Sequence, residues 1–357
     1  MRIAINGLAL TRRMSGIGRT TLHTLRALLR LDGENEYILF LPSDADDDLG
    51  LDAPNLERVP TDVSLSQPLR SLLFEEFAIP IRLRGAKVDL YYAPSFLLPA
   101  FPGAATEVIC VHDLAWRLFP ETKSLLFRTY MNRRLPSALR RAARIVCVSE
   151  STATDLRAQY ALALADRVRV IHNGVDLSVF HPAAGRERGA PFIAVVGNQD
   201  RRKNISTLLE AFPLFRARMR PCRLVMVGPG APPAETPAAV DFLGYLREEE
   251  LAALYRRALL VVQPSLYEGF GLPILEAMAC GTAVACADIP VFHEVAGECA
   301  SYFDPRDTKS IAEVMGDLAR DEGRRAELEE RGLLRARTFP WEETARRLLE
   351  LFREAAA

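Results

Sequence analysis

No two cysteines in this 357-residue sequence stand at metal or redox spacing: Cys110, Cys147, Cys222, Cys280, Cys286 and Cys299 are scattered, and none forms a CxxC. The expectation is small buried hydrophobes in a reducing compartment. Walker A, HExxH and zinc-spaced clusters are missing too. Excess charge of either sign is also lacking. Lys and Arg number 45 against 46 Asp and Glu, a formal net charge of −1, which argues against nucleic acid as a partner. No run approaches the roughly 20 apolar residues that span a bilayer. The start, Met1-Arg2-Ile3-Ala4-Ile5-Asn6-Gly7, reads as a strand and a turn without the apolar core of a signal peptide. A cytoplasmic protein is expected, with peripheral contact at an anionic membrane face left open.

What is present is globular: 49% hydrophobic and 25% charged residues, over a length that suggests about two domains. Short β-branched runs alternate with helical patterns throughout, the mark of α/β folding with parallel sheets. Strands are expected at Arg2–Asn6, Tyr37–Leu41, Val88–Tyr92, Glu107–Val111, Arg144–Val148 and Val168–Ile171. Helices are expected at Arg19–Leu31, Leu69–Arg82, Leu125–Ala142 and Ser151–Tyr160, the last capped by Ser149. A linker follows at His181-Pro182-Ala183-Ala184-Gly185-Arg186-Glu187-Arg188. A second series then has strands at Phe192–Val196, Arg223–Val227, Leu259–Gln263 and Ala283–Ala287. Its helices are expected at Asn204–Met219, Glu248–Arg257, Pro273–Cys280, Lys309–Leu318 and Arg324–Arg337, before a terminal helix at Trp341–Glu354. Domains are therefore placed at 1–180 and 181–340, with residues 341–357 as a C-terminal helix. Ligands of such sheets bind beyond the carboxyl ends of the strands.

The most informative string is Glu268-Gly269-Phe270-Gly271-Leu272-Pro273-Ile274-Leu275-Glu276-Ala277-Met278-Ala279-Cys280-Gly281. It follows an apolar strand. Gly269 and Gly271 permit close approach of backbone to a ligand, Pro273 suits a helix's first turn, and Gly281 suits its C-terminal end. The string thus presents a helix N-terminus, an anion site, at a strand end. A carboxylate accepts paired hydrogen bonds from a vicinal diol, so Glu276, placed in the helix's first turn, suits a ribose and Glu268 a sugar ring. Glu276 could instead merely complement the helix dipole. A second patch, Val196-Gly197-Asn198-Gln199-Asp200-Arg201-Arg202-Lys203-Asn204, carries three consecutive cations from a strand end to a helix start. It suits a diphosphate; by itself it also fits a solvated basic loop.

The string from Glu268 to Gly281 resembles the E-x7-E signature of glycosyltransferase family 4, retaining enzymes of the GT-B fold. Other strand ends match as well: Val111-His112-Asp113-Leu114, Val148-Ser149-Glu150-Ser151, Ile171-His172-Asn173-Gly174-Val175-Asp176, and the Gly-rich Ser15-Gly16-Ile17-Gly18-Arg19. The resemblance covers nearly the whole chain. It implies two Rossmann-like domains with parallel sheets facing a central cleft, and sugar transfer from a nucleoside-diphosphate sugar to a glycan or lipid-linked acceptor, with no metal or other cofactor. By position, Arg202 and Lys203 hold the donor diphosphate, Glu276 the ribose, and Glu268 the donor sugar, together with the amides of Gly269, Phe270, Gly271 and Leu272. Gly197 and Asn198 belong to the phosphate segment, and Tyr245 and Leu246 lie near the base. His112 contacts the transferred sugar, and Gly16 admits the phosphates. The terminal helix is expected to return to the first domain. Asn198 departs from the pattern, since many members carry Arg there, which shifts weight onto Arg202 and Lys203. The resemblance leans towards mannosyltransferases of surface-polysaccharide pathways and GDP-mannose. A GT-B epimerase and a catalytically silent partner subunit are alternatives. The Glu268/Glu276 pair argues against the first, and the retained site residues against the second.

Three motifs remain. His112-Asp113 resembles a base with its orienting partner, but front-face attack needs no protein base, so a sugar contact is preferred. Asp44-Ala45-Asp46-Asp47-Asp48 contains an Asp-x-Asp that could hold a metal but reads better as a solvated acidic loop. Six arginines (Arg128, Arg133, Arg134, Arg140, Arg141, Arg144) interleave with Tyr130, Met131, Leu135 and Leu139. Such a helix can lie on an anionic membrane; an ordinary solvated face is slightly favoured.

Overall fold

The computed structural model describes every residue except 47, 65, 104, 161–163, 165, 184, 186–188, 220 and 231–235. The expected linker therefore falls partly outside the described residues, as does Asp47 of the acidic loop. The chain forms two compact units. One comprises Met1–Leu118, Lys123–Gly174 and Trp341–Ala357; the other comprises Phe119–Thr122 and Val175–Pro340.

The first unit is built on strands β1 (Arg2–Asn6), β2 (Glu36–Leu41), β3 (Leu56–Pro60), β4 (Leu90–Ala93), β5 (Thr106–Val111), β6 (Arg144–Cys147) and β7 (Val168–Val170). Among the described residues they form one sheet in the order β3-β2-β1-β4-β5-β6-β7, with every pairing parallel. A parallel sheet is covered on both faces, so its strands read as apolar runs; Ile3, Ile5, Leu39, Tyr91, Ile109 and Ile145 are all fully buried. The covering helices are α1 (Gly16–Leu31), α2 (Pro68–Leu73), α3 (Ile79–Gly85), α4 (Ala115–Leu118), α5 (Leu125–Arg141) and α6 (Glu150–Gln159). Ser15, Ser124 and Ser149 cap α1, α5 and α6, each hydroxyl accepting from the amide three residues on.

The second unit repeats the plan with β8 (Phe192–Val196), β9 (Arg223–Val227), β10 (Val240–Phe242), β11 (Leu260–Gln263), β12 (Val284–Ala287) and β13 (Ser301–Phe303). Their order is β10-β9-β8-β11-β12-β13, again all parallel. Helices α7 (Ile205–Arg216), α8 (Glu248–Arg257), α9 (Leu272–Ala279), α10 (Pro290–Ala296), α11 (Thr308–Arg320) and α12 (Glu322–Ala336) surround it. The last helix, α13 (Trp341–Ala356), packs in the first unit. Trp341 stacks on His23 at 5.4 Å, Phe352 meets Tyr92 edge-on, and Thr344 Oγ1 donates to the His172 carbonyl at 2.7 Å.

Both sheets reverse their strand order once, between β1 and β4 and between β8 and β11. The carboxyl ends of strands flanking such a switch point are where open α/β sheets bind ligands.

Several elements differ from expectation. The single helix expected over Leu69–Arg82 is interrupted by a π-helical turn at Phe74–Ala78. Pro80 has no amide to donate and so cannot hold the α register there. Strands β3, β10 and β13 and helices α4 and α10 were not foreseen. β3, β10 and β13 are edge strands of three to five residues, too short or too polar to show a period. All six cysteines are unpaired and five are buried. No helix of the described residues is long and apolar enough to cross a membrane.

Candidate active site

The basic turn begins where β8 ends. Gly197 donates its amide to the Val227 carbonyl at 2.9 Å. The Lys203 stem runs alongside Gly197, within ordinary van der Waals distance of where a Cβ would stand. Asn198 Oδ1 accepts from the Asp200 amide at 3.3 Å, shaping the loop, and Asp200 Oδ1 accepts from the Arg202 amide at 3.2 Å. Arg201–Lys203 form one 3-10 turn. Asn204 closes it in the left-handed region, φ +57°, a conformation that asparagine tolerates better than most residues. Its buried Nδ2 donates to the Pro264 and Pro305 carbonyls at 3.1 and 2.6 Å. The Leu266 amide donates to the Arg202 carbonyl at 2.7 Å. The basic turn is thereby stitched to the loop that follows β11, the neighbouring strand at the switch point.

That loop carries Glu268, which is only 8% exposed. Arg202 Nη1 donates to its Oε2 at 2.9 Å, and Lys203 Nζ donates to its Oε1. Ser265 Oγ also donates to Oε1, at 2.9 Å, and Gln263 Nε2 donates to Ser265 Oγ at 3.2 Å. Burial by itself would push the Glu268 carboxyl up. The charges of Lys203 and Arg202, and the hydrogen bonds from Lys203 and Ser265, outweigh it and hold the carboxyl at about 2. Asp200 Oδ2 also lies 3.8 Å from Arg202 Nε, so two cations and two carboxylates share a site of low exposure.

After Glu268 the backbone runs through Gly269 and Phe270 to Gly271, whose φ of +112° starts α9. An added Cβ at Gly271 would also meet the Phe292 ring at 3.1 Å. Phe270 is buried edge-on against Phe339, so this segment presents backbone rather than a ring. Helix α9 begins at Leu272, one residue before Pro273, and Glu276 lies in its second turn, not its first. Its Oε2 accepts from the buried Tyr255 hydroxyl at 3.2 Å. Gly281, φ +69°, ends the helix as expected. Beyond β10, Tyr245 presents an exposed ring and Leu246 is half-buried.

Two residues expected at the site belong to the first unit. His112, at the end of β5, is buried. Burial pulls its pKa down against the Pro94 bond and the Asp113 charge, so the ring is neutral at pH 7. Its Nε2 lies 2.7 Å from the Pro94 carbonyl. A carbonyl only accepts, so Nε2 carries the proton and Nδ1 is the acceptor. Gly16 and Gly18 lie in the first turn of α1 rather than in the preceding loop. A Cβ on Gly18 would strike the Ala9 carbonyl at 2.4 Å, whereas one on Gly16 meets nothing within 4 Å. The fold demands glycine at 18 and not at 16.

The arginine-rich helix is only partly a solvated face. Arg134 donates to Glu76 at 2.7 and 2.9 Å, beside the Tyr130 hydroxyl at 3.1 Å. Arg141 pairs with buried Glu107, while Arg133 and Arg140 are exposed.

Sequence reasoning missed Gln263, Ser265, Tyr255 and the bridging Asn204. A partial signal existed in Gln263-Pro264-Ser265, which places a hydroxyl three residues before Glu268.

Comparison with known proteins identifies the family. Residues 14–179 match the family Glycosyltransferase Family 4, and residues 179–335 match Glycosyl transferases group 1. The O-antigen chain mannosyltransferase B of Escherichia coli is 30% identical over 282 residues, 73% of each chain. The MMP alpha-(1->4)-mannosyltransferase of Mycolicibacterium hassiacum is 32% identical over 231 residues, 61% of this chain and 56% of its own. Among solved structures, sucrose-phosphate synthase of Thermosynechococcus elongatus superposes with a TM-score of 0.80 at 20% identity, covering 99% and 98% of the two chains. Anabaena Alr3699/HepE in complex with UDP and glucose does so at 0.76 and 17%, covering 99% and 100%. With both Rossmann-like units matched, the chain belongs to the GT-B glycosyltransferases of group 1 and family 4.

Proposed function

We propose that the chain is a retaining hexosyltransferase that moves a hexose from a nucleoside-diphosphate sugar to a glycan or lipid-linked acceptor without a metal ion. The observation that carries this is the Arg202–Glu268–Lys203 cluster at the carboxyl ends of β8 and β11. As the bond from the anomeric carbon to the phosphate oxygen breaks, the departing diphosphate gains negative charge. Fixed cations of low exposure stabilise that charge more in the transition state than in the ground state. The acceptor oxygen bonds the anomeric carbon on the same face, and its proton passes to the departing phosphate oxygen. Glu276 takes the ribose hydroxyls, Tyr245 and Leu246 the base, and the amides from Gly269 to Leu272 the phosphates and sugar. A neutral His112 with Nδ1 open as acceptor suits a sugar hydroxyl. Mannose on GDP is the proposed donor; the names of the two mannosyltransferase relatives support the mannose. Incubation with GDP-mannose and an acceptor should give an α-linked product by NMR, undiminished in excess EDTA. A β-linked product refutes retention. Activity lost in EDTA and restored by manganese refutes the metal-free reading.

A peripheral lipid contact is also proposed, on the first unit. Leu69, Leu73, Phe77 and Ile81 recur every fourth residue along α2–α3 and are all exposed, with Phe101 beside Phe77. Glu76 ties this stretch to α5 through Tyr130 and Arg134, and α5 opens with Leu125, 73% exposed, and Leu126, 82% exposed. Exposed Arg70, Arg82, Arg84 and Arg133 lie among them. Apolar side chains interleaved with cations suit an anionic bilayer. The protein should sediment with phosphatidylglycerol vesicles and not with phosphatidylcholine vesicles, and Ile81→Asp with Leu126→Asp should abolish this. Equal sedimentation with both lipids would remove the proposal.

A further inference from the structure

We propose that Glu268 is an internal competitor for the donor's diphosphate, and that Ser265, oriented by Gln263, is the positioning residue that lets it yield. The inference rests on the reading that Arg202 and Lys203 bind the diphosphate. Both cations already donate to one carboxylate: Arg202 Nη1 to Oε2 at 2.9 Å, and Lys203 Nζ to Oε1. Their side chains are only 15% and 12% exposed, so neither can swing into water to serve a second anion. A diphosphate that engages them draws them from Glu268, and a buried carboxylate that loses its partners is heavily penalised.

The structure supplies a third partner that needs no cation. Ser265 is fully buried, and its hydroxyl donates to Oε1 at 2.9 Å. Gln263 Nε2 donates to the same hydroxyl oxygen at 3.2 Å, committing the serine proton to Glu268. Gln263 is itself 1% exposed, and its Oε1 finds no hydrogen-bond partner, an arrangement tolerated in order to orient the serine. Glu268 therefore keeps a charge-assisted hydrogen bond as the cations turn to phosphate. The carboxylate stays ionised and in place beside the donor.

The consequence is a pair of variants with opposite effects on a plain anion. Inorganic pyrophosphate is the probe, titrated calorimetrically into the whole chain. Lys203→Ala should weaken its binding about tenfold or more, as loss of one charge-assisted contact does. Glu268→Gln removes the competitor and should tighten binding by about threefold to tenfold, whereas Ser265→Ala leaves Glu268 dependent on the cations and should weaken it by a similar factor. Ser265→Thr should restore the wild-type value, and the double variant should behave as Glu268→Gln alone. Ser265→Ala retains all three charges, so it carries the test if Glu268→Gln fails to fold. Pyrophosphate binding that Lys203→Ala abolishes, but that Glu268→Gln leaves equal or weaker or Ser265→Ala leaves unchanged, overturns the competitor role alone. Binding indifferent to Lys203→Ala overturns the diphosphate reading beneath it.

Discussion

Acidification should single out Glu268 among the carboxylates. Its folded pKa of about 2 lies below the usual 4.5, so the unfolded chain binds the proton more readily, and stability contributed by this group rises with pH between those values. The difference of about 2.5 units corresponds to about 3 kcal/mol, fully present above pH 4.5. At pH 3 about 2 kcal/mol of it is gone, because the unfolded carboxyl is by then mostly protonated while the folded one is mostly not. The perturbation is Glu268→Gln, which has no proton to gain, and the assay is urea unfolding of both proteins from pH 6 to pH 3. The gap between wild type and variant should narrow by about 2 kcal/mol over that range. High salt should change it little, since the Arg202 and Lys203 side chains are mostly buried. A constant gap would mean that the two cations do not hold the carboxylate ionised, and the electrostatic account of the site would fall.

Other outcomes follow from the same geometry. Glu276→Ala should chiefly raise the donor Michaelis constant, since ribose contacts are unchanged as the sugar departs. Lys203→Ala should chiefly lower turnover, by about 2–4 kcal/mol in barrier; steady-state kinetics at saturating acceptor separates the two, and the opposite pattern refutes the division. Gly18→Ala should lose about 1–3 kcal/mol of stability against the Ala9 carbonyl, whereas Gly16→Ala should stay within about 0.5 kcal/mol. A thermal scan checks both, and equal losses would refute the contrast. Glu75 sits in the π-helical turn; burial and the Glu76 charge push its carboxyl up to about 7 against the Asn6 hydrogen bond. A raised carboxyl removes stability as pH climbs from 4.5 to 7. Glu75→Gln should therefore raise the melting temperature at pH 8 and leave it nearly unchanged at pH 4, and a shift of the same size at both would refute the assignment.

Much of this was legible in one dimension, because the features concerned are local. The parallel strands are buried on both faces and announce themselves as apolar runs, so β1, β8 and β9 fall at their expected bounds. The string from Glu268 to Gly281 is a single loop-and-helix unit whose glycines, proline and carboxylates each have a local role. Where local signals failed, a physical competitor can be named. The helix over Leu69–Arg82 looked continuous because its apolar spacing survives the π turn that Pro80 imposes. Glu276 was placed one turn early because Pro273 marks a first turn without saying whether it is the first or second residue of it.

The resemblance assigned Arg202, Lys203 and Glu268 to one donor site, but their contacts with one another were not legible in the residues, and the reason is topological. Arg202 and Lys203 lie 66 and 65 residues before Glu268, and nothing in either segment names the other. They meet because β8 and β11 are neighbours across a strand-order reversal, which brings the loop after each strand to the same edge of the sheet. Asn204 then fixes the distance, its amide spanning two carbonyls that come 60 and 101 residues later. Given the strand order, a chemist could have inferred that the cations after β8 face the carboxylate after β11. The finer consequence, that the carboxylate consumes those cations and needs Ser265 to release them, requires the hydrogen bonds themselves. A sequence motif identifies which groups attend a reaction, whereas the distribution of charge among them is settled only by the folded geometry.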